Sequence, residues 1–583
     1  MHGFFGRYLS IDLDSGTHRY VPLPDDTLRR TLGGKGLGVE LLLNENAPGV
    51  DPLAPESVFV IAVGPVTGTR VWSQSRFGVY AKSPATGGWG ESYCGGTLAP
   101  RIKGCGVDAV LLRGRRPFLS SIRIDEHGAS FQDARHLAGA ESYVTEEELA
   151  RQASAQGSEA GAMVIGPAGE NLVRFACIKS DRWRSLGRGG MGAVLGSKNV
   201  KGISFRGEAR ATVANQEELV ELNRAIAKTG RAADVTARYQ KYGTTMQVAI
   251  TNTQGCFPTR YWQAGRHESW QKLSGDYLVE HFTVSRHGCP TCFLQCTKHC
   301  VVREGRHAGL ELDGPEYETI YALGGLNCLE SLEEVAWLND LCDRLGIDTM
   351  SAGNIAAFAT EARARGAIDF PIEYNQPDRM AELFRLVATK TGAVGELFGR
   401  GIKEASEELG LQELAVHVKG LEPAGFDPRV LKGMGLSYAT AARGACHLRG
   451  TFYKAELSGQ IDKAAVKDKA RLQIDYEDRA ALFDSLILCR FFRDFILWDE
   501  LRVLIRATTG LDMDKESLEL LANRTTQRTR EYNAREGLGA AEDKLPSRFL
   551  KEATAEGASL SQEELDTMIS EYNGIREARA ARG

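Results

Sequence analysis

Hydrophobic and polar positions divide the chain into a first part that predicts strands and a longer part that predicts helices. Short apolar runs such as RYLSIDL, SVFVIAVG and GVDAVLLRG lie before residue 210 and are separated by Gly, Pro and Asp turns, a pattern typical of β-strands. From NQEELVELNRAIAKTG onward, apolar residues recur at helical spacing, as in SLEEVAWLNDLCDRLG and EDRAALFDSLILCRFF. The pattern therefore predicts a β-rich domain over residues 1–210 followed by a mainly helical region.

A second division lies within the helical region. Gly and Pro interrupt the helical pattern at GLEPAGFDPR, near residue 420, as they do between domains. We therefore expect an α+β protein with one helical domain over residues 211–420 and another over residues 421–583. The chain contains no internal repeat or low-complexity tract.

Composition and charge favour small-molecule chemistry. The chain has 583 residues, 43% of them hydrophobic, and a net charge of -5 with dispersed Lys and Arg, so neither nucleic acid nor an anionic membrane is the expected partner. The first residues, MHGFFGRYLSIDLDSG, lack the charged and apolar regions of an export signal, and no apolar run is long enough to span a membrane. We expect a cytoplasmic protein, in which clustered cysteines indicate metal before disulfides.

The stretch HGCPTCFLQCTKHC, residues 287–300, packs four cysteines into one short segment. Three of them run C-x2-C-x3-C, which favours an iron–sulfur site on a tight loop and requires a fourth ligand from elsewhere. Two alternatives stay open at this point. Buried unligated thiols are one, and the other is a zinc site in which a second ligand pair is imitated by His287, His299 and Cys300.

Two later segments share a spacing. Asp343 and Asp348 are five residues apart in DRLGIDTMS, and Asp484 and Cys489 are five apart in DSLILC, each after an amphipathic stretch. Each Asp alone is typical of a helix end. Together they predict paired loops whose carboxylates accept hydrogen bonds from a polar heterocycle, with Cys489 as the fourth cluster ligand.

The most glycine-rich element is RSLGRGGMGAVLGSKN, residues 184–199. Arg184, Arg188 and Lys198 are interleaved with glycines, a combination that suits phosphate binding, although an ordinary glycine turn is the alternative. The segment matches neither a Walker loop nor a dinucleotide fingerprint. Glu318 in GPEYETIYALGG and His447 in RGACHLRG are titratable groups suited to proton transfer, unless each is simply a satisfied polar residue.

In this order and spacing, GPVTGT, GPAGENLVRFA, GRGGMGAVLGSKN, the C-x2-C-x3-C loop, GPEYET, D-x2-G-[LI]-D and the late D-x4-C resemble the tungsten-dependent aldehyde:ferredoxin oxidoreductase family. The resemblance runs through nearly the whole chain. It implies an N-terminal β-sheet domain that forms a base for a bis-pterin cofactor, covered by two helical domains. It also implies tungsten, or molybdenum, held by the pterin sulfurs, a Mg²⁺ ion bridging the pterin phosphates and one [4Fe–4S] cluster.

The resemblance also implies roles for particular residues. Glu318 and His447 match the acid–base pair beside the metal, and Ser185 offers its carbonyl toward magnesium. Cluster ligands are implied at Cys289, Cys292, Cys296 and Cys489. Hydrogen bonds to the pterin rings are implied for Asp343, Asp348 and Asp484. Positive groups near the pterins and their phosphates are implied at Arg76, Arg184 and Arg449, and glycines of the cofactor motifs at Gly187, Gly189, Gly190 and Gly346.

Several positions depart from the family pattern. Tyr93 stands where the family has a magnesium-proximal Asn, and Ile487 replaces the glycine of the second pterin motif. Arg490 follows the last cysteine, where a small apolar residue is typical. Tyr93 and Arg490 are still expected at the cofactor. Some members bind iron at a dimer contact through E-x2-H, but Trp337 and Asp340 occupy those positions, so a homo- or hetero-oligomer would lack an interface iron.

The expected activity is oxidation of an aldehyde to the carboxylic acid, with single electrons passed to ferredoxin or a separate iron–sulfur subunit. One alternative is a reductive member of the same family that acts on an acyl-CoA or a carboxylic acid. Another is a non-catalytic electron-relay subunit that keeps the cluster and has lost the pterin. No nucleic acid or membrane partner is expected.

Overall fold

Two six-stranded sheets form the N-terminal part of the computed structural model, which describes residues 1–155 and 158–581. The first sheet has the order β2-β1-β6-β3-β4-β5. It is mixed, because β1 runs parallel to β6 while the other neighbours are antiparallel. Its strands are β1 (Arg7–Asp12), β2 (Thr17–Pro22), β3 (Phe59–Ala62), β4 (Arg76–Lys82), β5 (Trp89–Gly95) and β6 (Ala109–Arg113).

The second sheet has the order β11-β10-β9-β12-β7-β8, with β12 and β7 parallel. Ile11, Phe59 and Val79 of the first sheet share one buried core with Ile122 and Ile203 of the second, so the sheets pack against each other. Its strands are β7 (Ser120–Asp125), β8 (Gly128–Asp133), β9 (Gly161–Val164), β10 (Ile178–Ser180), β11 (Arg184–Leu186) and β12 (Val200–Arg206).

Six helices accompany these sheets. The second of them lies on the first sheet, where Leu37 and Leu42 join a core with Val60 of β3. The helices are α1 (Asp25–Thr31), α2 (Gly34–Glu45), α3 (Leu98–Gly104), α4 (Ser142–Ala153), α5 (Pro167–Glu170) and α6 (Met191–Ser197).

The remaining chain is mainly helical and contains one small antiparallel sheet that the sequence pattern did not indicate. The sheet has the order β13-β14-β15, from β13 (Phe282–His287), β14 (Thr297–Val302) and β15 (Glu311–Asp313). The first helices of this region are α7 (Gln216–Ala232), α8 (Asp234–Tyr242), α9 (Met246–Thr253), α10 (Gly275–His281), α11 (Tyr317–Thr319), α12 (Leu332–Leu345) and α13 (Thr349–Ala364), with a π-helix at Ile320–Gly325. The others are α14 (Pro377–Thr389), α15 (Gly392–Gly399), α16 (Ile402–Glu408), α17 (Lys432–Thr440), α18 (Tyr453–Leu457), α19 (Lys469–Leu486), α20 (Trp498–Thr509), α21 (Lys515–Arg535), α22 (Ser547–Lys551) and α23 (Gln562–Ala580).

The hydrophobic cores cross the division expected near residue 420. Leu219 of α7 shares a core with Leu504 of α20, and Phe358 of α13 shares another with Met568 of α23. The predicted α+β class is confirmed, whereas the three linear domains stay a prediction. Among the described residues, no helix combines the length and apolar character needed to cross a membrane.

Candidate functional site

A hairpin of the small sheet holds the cysteine loop. Strands β13 and β14 pair up to His287 and Thr297, so residues 288–296 form the connecting loop and its three cysteines stay close together. The fourth cysteine follows α19, where the Cys489 N–H donates to the Ser73 carbonyl oxygen at 3.1 Å. One cavity of about 320 Å³ is lined by all four predicted cluster ligands, Cys289, Cys292, Cys296 and Cys489.

The spare cysteine and the two histidines lie elsewhere on this hairpin. Cys300 is fully buried inside β14, and its neighbour His299 points to the opposite face of the strand. The Nδ1 atoms of His287 and His299 lie 2.7 Å and 3.2 Å from the two carboxylate oxygens of Asp313. These histidines are therefore engaged with Asp313 and do not meet Cys300. In the part of the chain that the structure describes, no three His, Cys, Asp or Glu side chains converge closely enough to hold a single metal ion.

The surroundings of the four thiols suit a cluster of iron and sulfide. Burial, together with the nearby Cys489 thiol, raises the pKa of Cys292 to about 12, so this thiol keeps its proton until a metal displaces it. The Gly96 N–H donates to Cys289 Sγ at 3.2 Å. A Cβ on Gly95 would lie 3.0 Å from the same sulfur, so glycine leaves the thiol room.

Two arginines reach toward these thiols. The Arg184 guanidinium donates from Nη1 to Thr297 Oγ1 at 2.6 Å. Burial opposes the charge on Arg76, yet the neighbouring Cys489 and Cys289 outweigh it and raise the pKa of Arg76. Both arginines line the cavity with the cysteines, where they would stabilise bound negative charge.

The first aspartate pair lies at a helix–turn–helix corner on the same cavity. Asp343 Oδ1 accepts a hydrogen bond from Lys179 Nζ at 2.6 Å. Burial raises the pKa of Asp343, because its effect is larger than the opposite effect of the Lys179 charge. Asp348 is the N-cap of α13, where it accepts from the Met350 N–H at 3.0 Å, and it pairs with Arg188 Nε at 2.9 Å. Both carboxylates therefore lie where α12 ends and α13 begins, and the short turn between the helices fixes their positions.

Asp484 lies in a second chamber of about 170 Å³. Its Oδ1 and Oδ2 accept from Arg490 Nε at 3.1 Å and Nη2 at 2.6 Å, and Oδ2 also pairs with Arg449. The carboxylate expected at a pterin ring is therefore held by two guanidiniums, one of them the arginine that departs from the family pattern. Ile487, the other departure, adopts the left-handed backbone (φ 58°) that a glycine would adopt without strain.

The chamber and the cavity share a wall. Arg76, Tyr93 and Gly187 line both, and Arg76 Nη2 donates to the Tyr93 carbonyl oxygen at 3.2 Å. The phenol of Tyr93 donates to Glu91 Oε2 at 2.7 Å. Ser185 lies on the wall of the larger cavity only. The structure thus brings Arg76, Tyr93, Gly187 and Ser185 together on the wall of the cavity that the four cysteines line.

Three predicted glycines line neither space and lie in turns or loops of the backbone. Gly190 precedes α6 with φ 75°, and a Cβ there would lie 2.1 Å from the Arg174 carbonyl oxygen. Gly189 accepts from Ser83 Oγ through its carbonyl. Gly346 ends α12 with φ 75°, and a Cβ there would lie 2.9 Å from the Gly166 nitrogen. These glycines shape the turns that carry the site rather than its surface.

Glu318 and His447 meet beside the chamber. His447 lines it, and His447 Nε2 lies 3.4 Å from Glu318 Oε1, while Glu318 Oε2 accepts from the Gly425 N–H at 2.9 Å. Burial raises the pKa of Glu318 to about 8. Burial, and then the charge of Arg443, hold the pKa of His447 well below its usual value. At neutral pH the pair therefore combines a protonated carboxyl with a neutral imidazole.

Sequence reasoning missed several buried charged groups at this site. Lys179 is a lysine with no exposed surface in a short strand, and nothing in the string IKS signals its contact with Asp343. Glu91 pairs with Arg449 at 2.8 Å, and Glu422 pairs with Arg188 at 3.1 Å. Lys198, by contrast, was expected at the glycine-rich phosphate cradle but donates to the Pro55 carbonyl oxygen in the β-domain and lines neither space.

The donor set fits the groups that the sequence implies. Carboxylates and guanidiniums in the two adjoining spaces match the mixed donors and acceptors of a pterin and its phosphates. Arg443 and Arg449 each keep a buried Nε atom without a partner, which leaves hydrogen-bond donors for a bound group. Four thiols on one cavity match a [4Fe–4S] cluster.

Comparisons with known proteins cover nearly the whole chain and agree with one another. Residues 8–207 match the model described as the aldehyde ferredoxin oxidoreductase N-terminal domain, and residues 221–580 match domains 2 and 3. The tungsten-containing aldehyde ferredoxin oxidoreductases of Pyrococcus furiosus and Thermococcus kodakarensis are 33% and 32% identical, and both alignments cover 99% of this chain and 96% of the relative. A solved chain of the active-site complex BamBC of benzoyl coenzyme A reductase, in complex with 1,5-dienoyl-CoA, shares the fold with a TM-score of 0.83 at 21% identity, covering 99% of this chain and 94% of that one.

Proposed function

Because this chain belongs to the aldehyde ferredoxin oxidoreductase family, whose named relatives are tungsten-containing oxidoreductases, we propose that it oxidises an aldehyde to a carboxylic acid. An aldehyde and water yield the acid, two protons and two electrons, so the site needs a proton acceptor and a one-electron outlet. The observation that carries the proposal is the Glu318–His447 pair, at 3.4 Å, beside a chamber that shares a wall with the four-cysteine cavity.

The residues that would hold the cofactors are distributed over the two spaces. The larger cavity would take one pterin with Asp343, Asp348, Arg184 and Ser185, and the chamber would take the other with Asp484, Arg449 and Arg490. Arg76, Tyr93 and Gly187 would contact both, and the backbone carbonyls of Ser185 and Tyr93 would help to hold Mg²⁺, which would neutralise phosphate charge. When bound, tungsten on two pterins supplies two-electron chemistry, and a [4Fe–4S] cluster on the four cysteines supplies single-electron transfer.

The two residues of the acid–base pair have different roles in this proposal. Glu318, with its pKa raised to about 8 by burial, is a strong base once ionised and takes the proton of the attacking water. His447 stays neutral, since burial lowers its pKa, and donates a hydrogen bond that orients the substrate oxygen. Phe426, whose ring centroid lies 5.9 Å from that of His447, helps to keep bulk water from the pair.

Electrons would leave through the exposed side of the cysteine loop. Cys289 and Cys292 line an outer cavity together with Arg231 and Gln240. Exposed basic side chains lie on the flanking elements α7, α8 and β13, which supports an acidic one-electron carrier as the partner. We therefore propose ferredoxin or an iron–sulfur subunit as the acceptor. The basic side chains are Arg231, Arg238 and Arg286.

Product analysis tests the proposed reaction. The purified enzyme is incubated without oxygen with an aldehyde and a one-electron acceptor dye. We expect one carboxylate for every two molecules of dye reduced. Reduction of an acyl-CoA thioester by reduced dye, with no oxidation of any aldehyde in a panel, would instead support the reductive alternative.

Metal and pterin analysis of the same preparation tests the electron-relay alternative. We expect about four iron atoms per chain, together with tungsten or molybdenum and two pterins. Iron at that level without tungsten, molybdenum or pterin would assign the chain to electron relay and contradict the proposed activity.

A further inference from the structure

Arg443 is a buried guanidinium in the chamber wall that forms no salt bridge with a carboxylate of the described residues. The side chain is 7% exposed and lines the chamber with His447. Its Nη1 donates to the Glu91 carbonyl oxygen at 2.9 Å, and its Nε has no partner. No carboxylate oxygen of the described residues lies within salt-bridge distance of it. A buried charge without a directly paired counter-ion is costly, so this arrangement favours an anionic ligand.

The other arginines of the chamber wall either form salt bridges with carboxylates or face the cysteines. Arg188 pairs with Asp348 and Glu422. Arg449 and Arg490 share Asp484. Arg76 donates to the Tyr93 carbonyl and faces the cysteines, whose charge acts on it. Among the described residues, Arg443 is thus the chamber guanidinium that has free donors, forms no salt bridge with a carboxylate and does not face the cysteines.

We propose that Arg443 binds the carboxylate of the reaction product, a small monocarboxylic acid, and so forms the anion subsite of the chamber. This inference rests on the proposed function. Arg443 and His447 lie four residues apart on one loop that follows α17 and line the same chamber. A planar guanidinium donates two parallel hydrogen bonds to a carboxylate, and the proposed reaction generates a carboxylate beside Glu318.

A phosphate of the cofactor is the other anion that a guanidinium binds well. The position of Arg443 beside the acid–base pair favours the product, because the negative charge of the product arises there. The experiment therefore needs one arm that follows carboxylate binding and another that follows cofactor content.

Equilibrium dialysis with radiolabelled acetate tests the subsite in the purified holoenzyme without turnover. Acetamide, which has the same shape without the charge, is the matched neutral probe. We expect the wild type to bind acetate more tightly than acetamide. In Arg443→Gln, acetate binding should weaken on the order of 10- to 100-fold, as expected when a charged hydrogen-bond partner is lost, while acetamide binding stays unchanged. Arg443→Lys keeps the charge without the planar geometry, so its acetate affinity should lie between those of the wild type and Arg443→Gln.

Three outcomes would overturn the inference. Equal acetate affinity in the wild type and Arg443→Gln would remove Arg443 from the subsite, as would a wild type that does not distinguish acetate from acetamide. Loss of tungsten and pterin from Arg443→Gln and Arg443→Lys would assign the arginine to a cofactor phosphate. Dialysis does not depend on turnover, so Arg443-dependent acetate binding in an enzyme that oxidises no aldehyde would contradict the proposed function alone.

Discussion

Single residues set the proton chemistry of this site, and Glu318 is the most informative of them. Glu318→Gln and His447→Asn should each retain tungsten, pterin and cluster yet lose roughly 10²- to 10⁴-fold in turnover, because neither side chain binds cofactor and general acid–base catalysis contributes about that much. Metal content measured beside turnover checks this expectation. Loss of metal together with activity would mean that the pair merely braces the pocket, and full activity in both variants would remove them from the mechanism.

The pH dependence follows from the same residue. Burial raises the pKa of Glu318 to about 8, so the carboxylate form increases as pH rises through that value. If Glu318 is the base, kcat of the wild type should rise with pH and level off above about 8. The pH profile of Glu318→Gln should lack this rise. A wild-type rate that falls over the same range would show that the protonated carboxyl is the active form.

The cluster ligands make a second prediction at the residue scale. Cys489→Ser should disturb the same electron paramagnetic resonance signal as Cys292→Ser, although nearly two hundred residues separate them, because both thiols line one cavity. Cys300→Ser is the matched control, since Cys300 is buried in β14 outside that cavity. An unchanged signal in Cys489→Ser with a lost signal in Cys300→Ser would reverse the assignment.

At the scale of elements, the turn between α12 and α13 positions the first aspartate pair. Gly346 has φ 75°, and a Cβ there would meet the Gly166 backbone at 2.9 Å. Gly366, just after α13, has φ 72° but nothing within 4 Å of an added Cβ. Both Ala variants carry the cost of a left-handed alanine, about 1–2 kcal/mol. Only Gly346→Ala adds a clash with backbone.

We therefore expect Gly346→Ala to lower the melting temperature on the order of 1–3 °C more than Gly366→Ala and also to reduce pterin content, because the turn carries Asp343 and Asp348. Scanning calorimetry and a pterin assay of both variants check this. Equal melting temperatures and equal pterin content would show that the turn tolerates a shift and does not position the carboxylates.

At the scale of the whole molecule, the positions of the family's interface iron are used for packing. The Trp337 ring stacks on His307 at 4.8 Å and lies under Arg306. Asp340 Oδ2 forms a salt bridge with Arg344 Nε at 2.9 Å, and Asp340 Oδ1 accepts from the Tyr143 hydroxyl at 3.2 Å. We expect the assembled protein to contain cluster iron only. Elemental analysis of Cys292→Ser, once its cluster is lost, checks this, and stoichiometric iron retained there would contradict it.

Some residues of the site could be predicted from sequence motifs, and others could not. The motifs predicted the α+β class and the family, both now confirmed, and they named residues that the structure brings to one pair of adjoining spaces, such as Asp343 and His447. The family motifs imply a cofactor role for Gly190 and Gly346, which stays a prediction. In the structure these glycines lie in turns and line neither space. The motifs did not predict that Lys179 is buried against Asp343, because a lysine in a short strand is ordinarily exposed.

The sequence by itself determined the local chemistry: three thiols on one tight loop, aspartates at helix ends, and glycines where the backbone turns. These follow from spacing, which fixes which neighbours along the chain can meet. Only the tertiary structure decided the long-range charge pairs. Asp484 lies between Arg449 and Arg490, because α19 packs on α2. Arg443 is left without a carboxylate at salt-bridge distance, because the loop after α17 brings it to the backbone of β5. Charge pairs between residues far apart in the sequence depend on which buried faces pack together. Burial then raises the pKa of Glu318 and makes the charge of Arg443 costly without a paired anion.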